Sequence, residues 1–432
     1  VMTSGNRSVE PIICSNNMAV ERLAGVADFF LLHDREIVRR CDDSIVKFSG
    51  RKHIIMRRSR GYVPRPVPVG RTARAVCAYG AQLKNTVCFL EGKHAHVSGY
   101  IGDLDNLESV EYFEKTLAEM ERLLTVKPEI VACDMHPDYA STRLAQERRG
   151  VKLYAIQHHH AHVVSCMAEN GRTEKAIGVA FDGTGLGEDG AMWGSEFLAA
   201  DAEGYTRIGH LKYFPMPGGE AVVREPWRMT VSYLYGLIGD ELWELDLEIT
   251  WGIHSRRLAT LISMIRNEDN CPKTSGMGRL FDAVAALLGL CPTATYEGEG
   301  PIYLESVAAP GVRESYEFSI IDSSPCMLID PGPVLVRILD DVRDGIGVPL
   351  ISARFHNAVV NMVVEVCTRV REKTGLDTTA LSGGVFQNGY LTSRLVPALG
   401  EAGFSVLTHR YLSPNDECIS FGQALIANER EG

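Results

Sequence analysis

Residues Lys175–Gly187 read KAIGVAFDGTGLG, an apolar run that ends in Asp182 and passes into a glycine-rich turn. The run 176–181 has the length and composition of a buried strand, and the glycines permit a tight turn. A second stretch, 378–388, reads TTALSGGVFQN and repeats the order of apolar strand and glycine turn. Such turns can present backbone amides to phosphate oxygens, and each is also consistent with an ordinary tight turn. Two copies in separate parts of the chain favour an α/β fold with phosphate-binding turns.

Strand-like and helix-like segments alternate on the N-terminal side of these turns. Apolar residues recur at helical spacing over 107–124, and Ile130–Asp134 and Val151–Ile156 read as strands. A helix is expected to follow from about His159. This alternation predicts the α/β class, in two lobes that bind ligands at the carboxyl ends of strands.

The borders of these units are marked by composition. Alternating prolines that end at Pro68 enforce extended backbone, so we place one border near Pro68. A second unit begins at Lys175. We expect 293–319 to be loop and strand, and the final helix to begin near Pro414–Asp416.

The composition is that of an ordinary soluble globular protein, with 45% hydrophobic and 23% charged residues in a chain of 432. A net charge of −11 argues against a nucleic-acid binder. No apolar run is long enough for a membrane span, and the start does not resemble a signal peptide. The chain opens on Val1 rather than Met, so we expect a fragment of a longer protein. Eleven cysteines without a C-x-x-C pair predict free thiols in a reducing cytoplasm.

The densest chemical signal is QHHHAH at 157–162. His158 and His162 are four residues apart, so on a helix their imidazoles lie on one face and can converge on one ion. His159 and His160 point elsewhere. A metal site is the favoured interpretation, and a polar surface patch is the alternative.

A two-histidine site needs further ligands, and carboxylates at strand ends are the natural supply. Asp182 ends a strand and Asp416 opens the last helix. The structural alternatives are an Asp-Gly turn for Asp182 and a helix N-terminal charge for Asp416. Spacing alone does not bring either to the histidines. Two nitrogens and two carboxylates would suit iron or zinc better than magnesium or calcium.

Three weaker candidates complete the pattern. KTSGMGRLFD at 273–282 has a flexible entry to a helix, from which Arg279 and Asp282 could reach a ribose or base. Lys84 in a predicted hairpin could neutralise phosphate charge or be an ordinary surface lysine. The polar stretch Asp134–Tyr139 is either substrate-binding or a structural turn.

At these motifs the chain resembles the HypF family of hydrogenase maturation carbamoyltransferases. The resemblance covers essentially the whole chain in family order. It is carried by TSGNRSVEPI, RRSRGYVPRPV, GAQLKN, CDMHPDY, QHHHAH, FDGTGLGEDGAMWGSE, SGMGRLFDAVAALLG, SGGVFQN and SPNDECISFGQA.

The resemblance implies a two-lobed nucleotide-binding fold of the actin/hexokinase/heat-shock-chaperone type, similar to the tRNA threonylcarbamoyl-adenosine transferases, preceded by a partial YrdC-like α/β domain. It divides the chain into the end of the YrdC-like domain at 1–66, lobe I at 67–175, and lobe II at 176–432, whose final helix returns to lobe I. We expect this chain to lack the family's acylphosphatase domain, its zinc modules and the start of its YrdC-like domain. We therefore expect the transfer step without carbamoyl activation.

The resemblance also implies roles for individual residues. The metal ligands fall on His158, His162, Asp182 and Asp416, which we expect to hold iron or zinc, and we take Lys84, His158 and His162 as the catalytic residues. Mg²⁺ is a candidate companion of ATP. The residues expected to bind ATP or carbamoyl adenylate are Gly183, Thr184, Gly185, Gly276, Gly278, Asp282, Gly383, Gly384 and Asn388.

The implied reaction moves a carbamoyl group from carbamoyl adenylate, which is made from carbamoyl phosphate and ATP, to the C-terminal cysteine thiol of the partner HypE. AMP leaves, and the thiocarbamate is later dehydrated to supply cyanide to a nickel-iron hydrogenase. No general base is evident. Two alternatives stay open: a carbamoyltransferase acting on a small-molecule hydroxyl, and a nucleotide-dependent binding module without chemistry. Neither a nucleic acid nor a membrane is an expected partner.

Overall fold

The computed structural model of the chain describes residues 4–7, 10–49, 52–245 and 254–431. Its N-terminal part contains a short helix and an antiparallel hairpin: α1 (Asn16–Leu23), β1 (Ile45–Ser49) and β2 (Lys52–Arg57). The hairpin docks on the rest of the chain through polar contacts. Asn415 Nδ2 donates to the Met56 carbonyl at 3.2 Å, and the Arg58 amide donates to Glu417 Oε2 at 2.8 Å.

A first sheet follows the hairpin. Its strands and the helices around it are β3 (Val67–Ala78), β4 (Cys88–Val97), α2 (Leu107–Leu124), β5 (Ile130–Asp134), α3 (Ala140–Glu147), β6 (Lys152–Ile156) and α4 (His158–Glu169). The strand order is β4-β3-β5-β6. The helix predicted over 107–124 is confirmed as α2, which buries Phe113, Leu117 and Met120. It begins where the Asn106 side chain accepts a hydrogen bond from the Ser109 amide.

A second, larger sheet has seven strands, in the order β12-β13-β9-β8-β7-β14-β15 when the strands are numbered along the chain. The strands of this part are β7 (Ala176–Phe181), β8 (Ser195–Ala200), β9 (Tyr205–Leu211), β10 (Phe214–Pro215), β11 (Lys273–Thr274), β12 (Ser319–Ile321), β13 (Met327–Asp330), β14 (Thr378–Ser382) and β15 (Ser405–Leu407). The short β10 and β11 pair with each other outside this sheet.

The helices of this part include several that pack against one another. They are α5 (Ala221–Arg224), α6 (Trp227–Ile238), α7 (Ser255–Asn267), α8 (Met277–Leu287), α9 (Glu299–Val307), α10 (Gly332–Arg343), α11 (Val348–Thr374), α12 (Gly389–Glu401) and α13 (Ile419–Glu429). The last helix, α13, contacts α4 and strands β3, β4 and β5. Its Phe421 and Ile426 are buried in one apolar cluster with Val76 and Ile130 of the first sheet.

One expectation about secondary structure was wrong. The stretch 293–319 contains the helix α9, where loop and strand were expected. The Gly-Pro pair at Gly300 and Pro301 looks like a helix breaker in the sequence. In the structure Pro301 lies in the first turn of α9, where a missing amide proton costs nothing because that amide has no partner within the helix.

Two further observations concern the class of protein. All eleven cysteines are free thiols, as expected. Among the helices of the described residues, none combines the length and the apolar character that a bilayer span requires.

Candidate functional site

The histidine cluster lies where β6 passes into α4. The Gln157 side chain accepts a hydrogen bond from the His160 amide at 2.9 Å and so fixes the start of the helix. His158 and His162 are one turn apart, with ring centroids separated by 5.1 Å. All four histidines are at most 1% exposed, so the alternative of a polar surface patch is wrong.

His158 is braced by a carboxylate from the neighbouring strand. β5 and β6 are parallel and pair Asp134 with Ile156, so Asp134 and His158 leave the sheet at the same edge. Asp134 Oδ2 lies 2.8 Å from His158 Nδ1. A carboxylate behind an imidazole is the usual arrangement for a metal-ligating histidine, because it fixes the ring and frees the other nitrogen. Of the two interpretations of Asp134, the geometry therefore favours a structural role behind His158.

Asp182 is also positioned by the end of a strand in a parallel pair. β7 and β14 are parallel with Ser382 opposite Ala180, so Asp182 and Gly383 leave the second sheet together. Asp182 Oδ2 lies 3.0 Å from His162 Nε2. Its other oxygen accepts a hydrogen bond from the Gly183 amide at 2.7 Å, which fixes the carboxylate.

Asp416 completes the cluster from the opposite end of the chain. It begins a 3₁₀ turn, Asp416–Cys418, that precedes α13. The Gly383 amide donates to the Pro414 carbonyl at 2.8 Å and ties this turn to the end of β14. Asp416 Oδ1 is 3.8 Å from both His158 Nε2 and His162 Nε2.

Ligand atoms of His158, His162, Asp182 and Asp416 all lie within 4.8 Å of one another. His158 Nε2 is buried and has no hydrogen-bond partner among the described residues. A buried nitrogen left unpaired is costly unless an ion occupies the space it faces. Two imidazoles and two carboxylates fit zinc or iron, which bind mixed nitrogen and oxygen donors.

The negative charges of the two buried carboxylates also favour the binding of a cation. Burial raises the pKa of Asp416, and the neighbouring Asp182 charge raises it further. Burial alone would lower the pKa of His158, but the hydrogen bond and charge of Asp134 raise it to about 10. Two carboxylates buried together carry negative charge that protons or a divalent ion can balance.

A cleft opens from this cluster between the two sheets. Of the residues expected to bind nucleotide, Gly183, Gly278, Gly384 and Asn388 line it, together with Lys84. Glycine is required at some of these positions by close backbone approach. A Cβ on Gly278 would lie 2.8 Å from Gly183 Cα, because the two glycine loops pack directly on each other.

The other predicted nucleotide residues lie behind the cleft lining. Thr184 Oγ1 contacts Met192 Sδ, and Gly185 packs on the rings of His158 and His159. The buried Asp282 pairs with Arg279 at 3.1 Å. The last two positions are packed against backbone: a Cβ would lie 2.6 Å from the Gly183 carbonyl at Gly276, and 2.0 Å from the Phe181 carbonyl at Gly383.

Lys84 crosses the cleft rather than pointing into solvent. Its backbone has φ +46°, a left-handed conformation held by a 2.8 Å hydrogen bond from its amide to Asp103 Oδ1. Its ammonium pairs with Glu297, which immediately precedes the αL residue Gly298 at the start of α9. Burial opposes the charged form of Lys84, but the charges of Glu297 and Asp416 prevail and raise its pKa.

Sequence reasoning missed several residues of the cleft. Glu297 lies two residues before α9, the helix that was not expected, and Glu305 lies within it. Lys47 of the β1–β2 hairpin pairs with Glu305 at 2.5 Å and lines the same cleft. No local sequence pattern predicts these residues, because each reaches the cleft only when segments distant in sequence pack together.

Comparison with known proteins places these features in a family. Residues 178–423 match a family described as "Carbamoyltransferase, Kae1-like Domain, second subdomain", and residues 71–169 match "HypF Kae1-like domain". Residues 1–59 match the Sua5/YciO/YrdC family, described as "Telomere recombination".

Curated relatives match over the full chain. The sequence is 38% identical to carbamoyltransferase HypF2 of Cupriavidus necator over 100% of this chain, and 36% identical to carbamoyltransferase HypF of Synechocystis sp. over 98%. The chain spans 56% of the length of each of these relatives. A crystal structure of full-length HypF in the phosphate- and nucleotide-bound form is 40% identical, with a TM-score of 0.95 over 99% of this chain and 67% of that one.

Proposed function

Because the chain belongs to the HypF carbamoyltransferase family, we propose that it performs carbamoyl transfer from carbamoyl adenylate to the C-terminal cysteine thiol of HypE. The observation that carries this proposal is the adjacency of two sites. The buried group of His158, His162, Asp182 and Asp416 lies at the end of a cleft lined by glycine loops and Lys84. A carbamoyl adenylate bound in that cleft has its phosphate and carbamoyl oxygens beside the ion-binding residues.

Each group in the cleft has a role in this proposal. The four clustered residues hold iron or zinc, which when bound supplies a Lewis acid for carbamoyl or phosphate oxygens. Gly183, Gly278 and Gly384 line the cleft with backbone that can approach a phosphate, and their lack of a side chain lets the loops pack closely. Lys84 neutralises the adenylate phosphate. Where ATP is bound, Mg²⁺ accompanies it.

The remaining predicted nucleotide residues support the cleft from behind. Thr184, Gly185, Gly276 and Gly383 set the path of the loops through the close contacts described above. Asp282 holds the Arg279 guanidinium next to Gly183. Asn388, by contrast, lines the cleft itself: its Oδ1 accepts from the Leu391 amide at 2.9 Å and its Nδ2 contacts His356 Nε2, so the side chain is already fixed before nucleotide binds.

Carbamoyl transfer is tested by incubating the metal-loaded chain with preformed carbamoyl adenylate and HypE. We expect one carbamoyl group on the C-terminal cysteine of HypE and one AMP released for each transfer, measured by mass spectrometry and nucleotide chromatography. A HypE variant without that cysteine is the control. Carbamoylation of a small alcohol in place of HypE would support the hydroxyl alternative, and nucleotide binding without AMP release would support the binding module. Either result would refute the proposal.

Lys84→Met is expected to weaken AMP binding by about 10–100-fold, because a hydrogen bond to a charged phosphate contributes roughly 1.5–3 kcal/mol. The substitution also leaves Glu297 unpaired in the cleft, where its charge repels phosphate. Lys115→Met is the matched control, since Lys115 lies on the exposed face of α2 and pairs only weakly with Glu119 at 3.8 Å. Titration calorimetry with AMP measures both. Equal affinities in the two variants would exclude Lys84 from phosphate binding.

A further inference from the structure

A chain of buried polar groups runs behind His162, on the side away from the cleft. Ser382 Oγ lies 3.0 Å from His162 Nδ1 and 2.8 Å from His409 Nε2. His409 Nδ1 in turn contacts Glu169 Oε1. Ser382 is fully buried, and the side chains of His409 and Glu169 are 3% and 0% exposed.

The far end of this chain is fixed to the backbone. Glu169 Oε2 accepts hydrogen bonds from the Arg410, Tyr411 and Leu412 amides at 2.8, 2.5 and 3.2 Å. A carboxylate that accepts several amide hydrogen bonds is held in place. Glu169 also lies two helical turns after His162 on α4, so the first and last groups of this hydrogen-bonded row are both anchored in one rigid helix.

The order of these polar groups indicates which atom donates and which accepts in each hydrogen bond. The carboxylate of Glu169 only accepts, so His409 donates from Nδ1, and its Nε2 shares a hydrogen bond with the Ser382 hydroxyl. The Ser382 oxygen then accepts from His162 Nδ1, which leaves the Nε2 lone pair of His162 facing Asp182 and Asp416. Cys418 Sγ, 3.3 Å from the same Nδ1, is a second acceptor in the same direction.

The two histidines of the cluster are therefore braced differently. His158 is held directly by the Asp134 carboxylate. We propose that Ser382 and His409, anchored by Glu169, are positioning residues that hold His162 with Nε2 toward the ion. This inference rests on the metal site of the proposed function and on no other part of it.

Ser382→Ala is the test, with Co²⁺ as the probe. Loss of a hydrogen bond behind a metal-ligating histidine typically weakens metal binding by about 10–100-fold. We expect a Co²⁺ affinity lowered by that factor and an altered visible absorption of the bound Co²⁺, because the ring of His162 is no longer fixed. His409→Ala is expected to change both quantities in the same direction.

Ser165→Ala is the matched control. Ser165 lies on α4 between His162 and Glu169, is fully buried, and its hydroxyl has no partner among the residues that the structure describes. This variant should keep the wild-type Co²⁺ affinity and spectrum, whereas a general loss of packing would affect both serine variants alike. Cys418→Ala should have a smaller effect than Ser382→Ala.

Equal Co²⁺ affinity and identical spectra for Ser382→Ala and Ser165→Ala would overturn the positioning role while leaving the metal site intact. A larger effect of Cys418→Ala than of Ser382→Ala would also overturn it, since the thiol would then be the principal acceptor. Wild-type protein that binds no Co²⁺ would instead refute the metal site itself.

Discussion

Replacing His158 and His162 together by alanine is expected to remove the bound metal and to slow carbamoyl transfer from preformed carbamoyl adenylate by about 10³-fold. A Lewis acid contributes several kcal/mol to stabilising charge in the transition state, and each 1.4 kcal/mol corresponds to a tenfold change in rate. The two remaining carboxylates cannot replace the ion, because they donate electron pairs and cannot act as a Lewis acid. Metal content and single-turnover transfer to HypE measure the two effects.

The double variant needs two companions. His94→Ala with His96→Ala removes a neighbouring pair of histidine rings on β4, outside the cleft, and should leave metal content and transfer unchanged. Asp416→Asn preserves side-chain volume, so this variant should fold even if the histidine variant does not. It removes one carboxylate ligand, so its metal affinity should fall. Full transfer activity in a metal-free double variant would exclude a metal-dependent mechanism.

Gly422→Ala is expected to destabilise the fold by about 3 kcal/mol, the upper part of the usual range for overpacking. A Cβ at Gly422 would lie 2.0 Å from the Ala161 carbonyl, so α13 must move away from α4. The histidines are on α4, and Asp416 begins the short turn that leads into α13, so the same movement should separate the four clustered residues. We expect Zn²⁺ affinity to fall by about tenfold, equivalent to about 1.4 kcal/mol.

The control for Gly422 is Gly400 on α12, where an added Cβ would meet nothing within 4 Å. Gly400→Ala should be neutral or stabilising by up to about 1 kcal/mol, as expected for alanine replacing glycine in a helix. Chemical denaturation and zinc competition measure both variants. An equal, small effect at the two positions would mean that the helix crossing does not control the distance between the metal ligands.

Features that depend on local pattern could be predicted from the sequence. The strands β5, β7 and β14 were predicted from apolar runs, and the helix α2 from the spacing of Phe113 and its neighbours. Both predictions use only the order of apolar residues along the sequence. Placing His158 and His162 on one helical face needed only their separation. The helix α9 was missed because Pro301 is a breaker in most contexts but is tolerated in a first turn.

Features that depend on packing could not be predicted from these patterns. Asp416 reaches the histidines where α13 crosses close to α4 at Gly422, and the sequence alone does not show that Gly422 faces Ala161. The family resemblance, rather than spacing, named Asp182 and Asp416 as ligands. Gly-rich motifs likewise do not reveal which glycines line a cleft and which, like Gly276, fill the contact behind it.

The central claim is that one ion is held by His158, His162, Asp182 and Asp416 beside the nucleotide cleft. Anomalous diffraction from crystals of the zinc- or iron-loaded protein with AMP, recorded at the absorption edge of the metal, tests it most directly. We predict a single peak about 2.0–2.2 Å from both Nε2 atoms and from a carboxylate oxygen of each aspartate, with the AMP phosphate next to it. A loaded protein whose metal peak lies elsewhere, with this cluster empty, would contradict the claim.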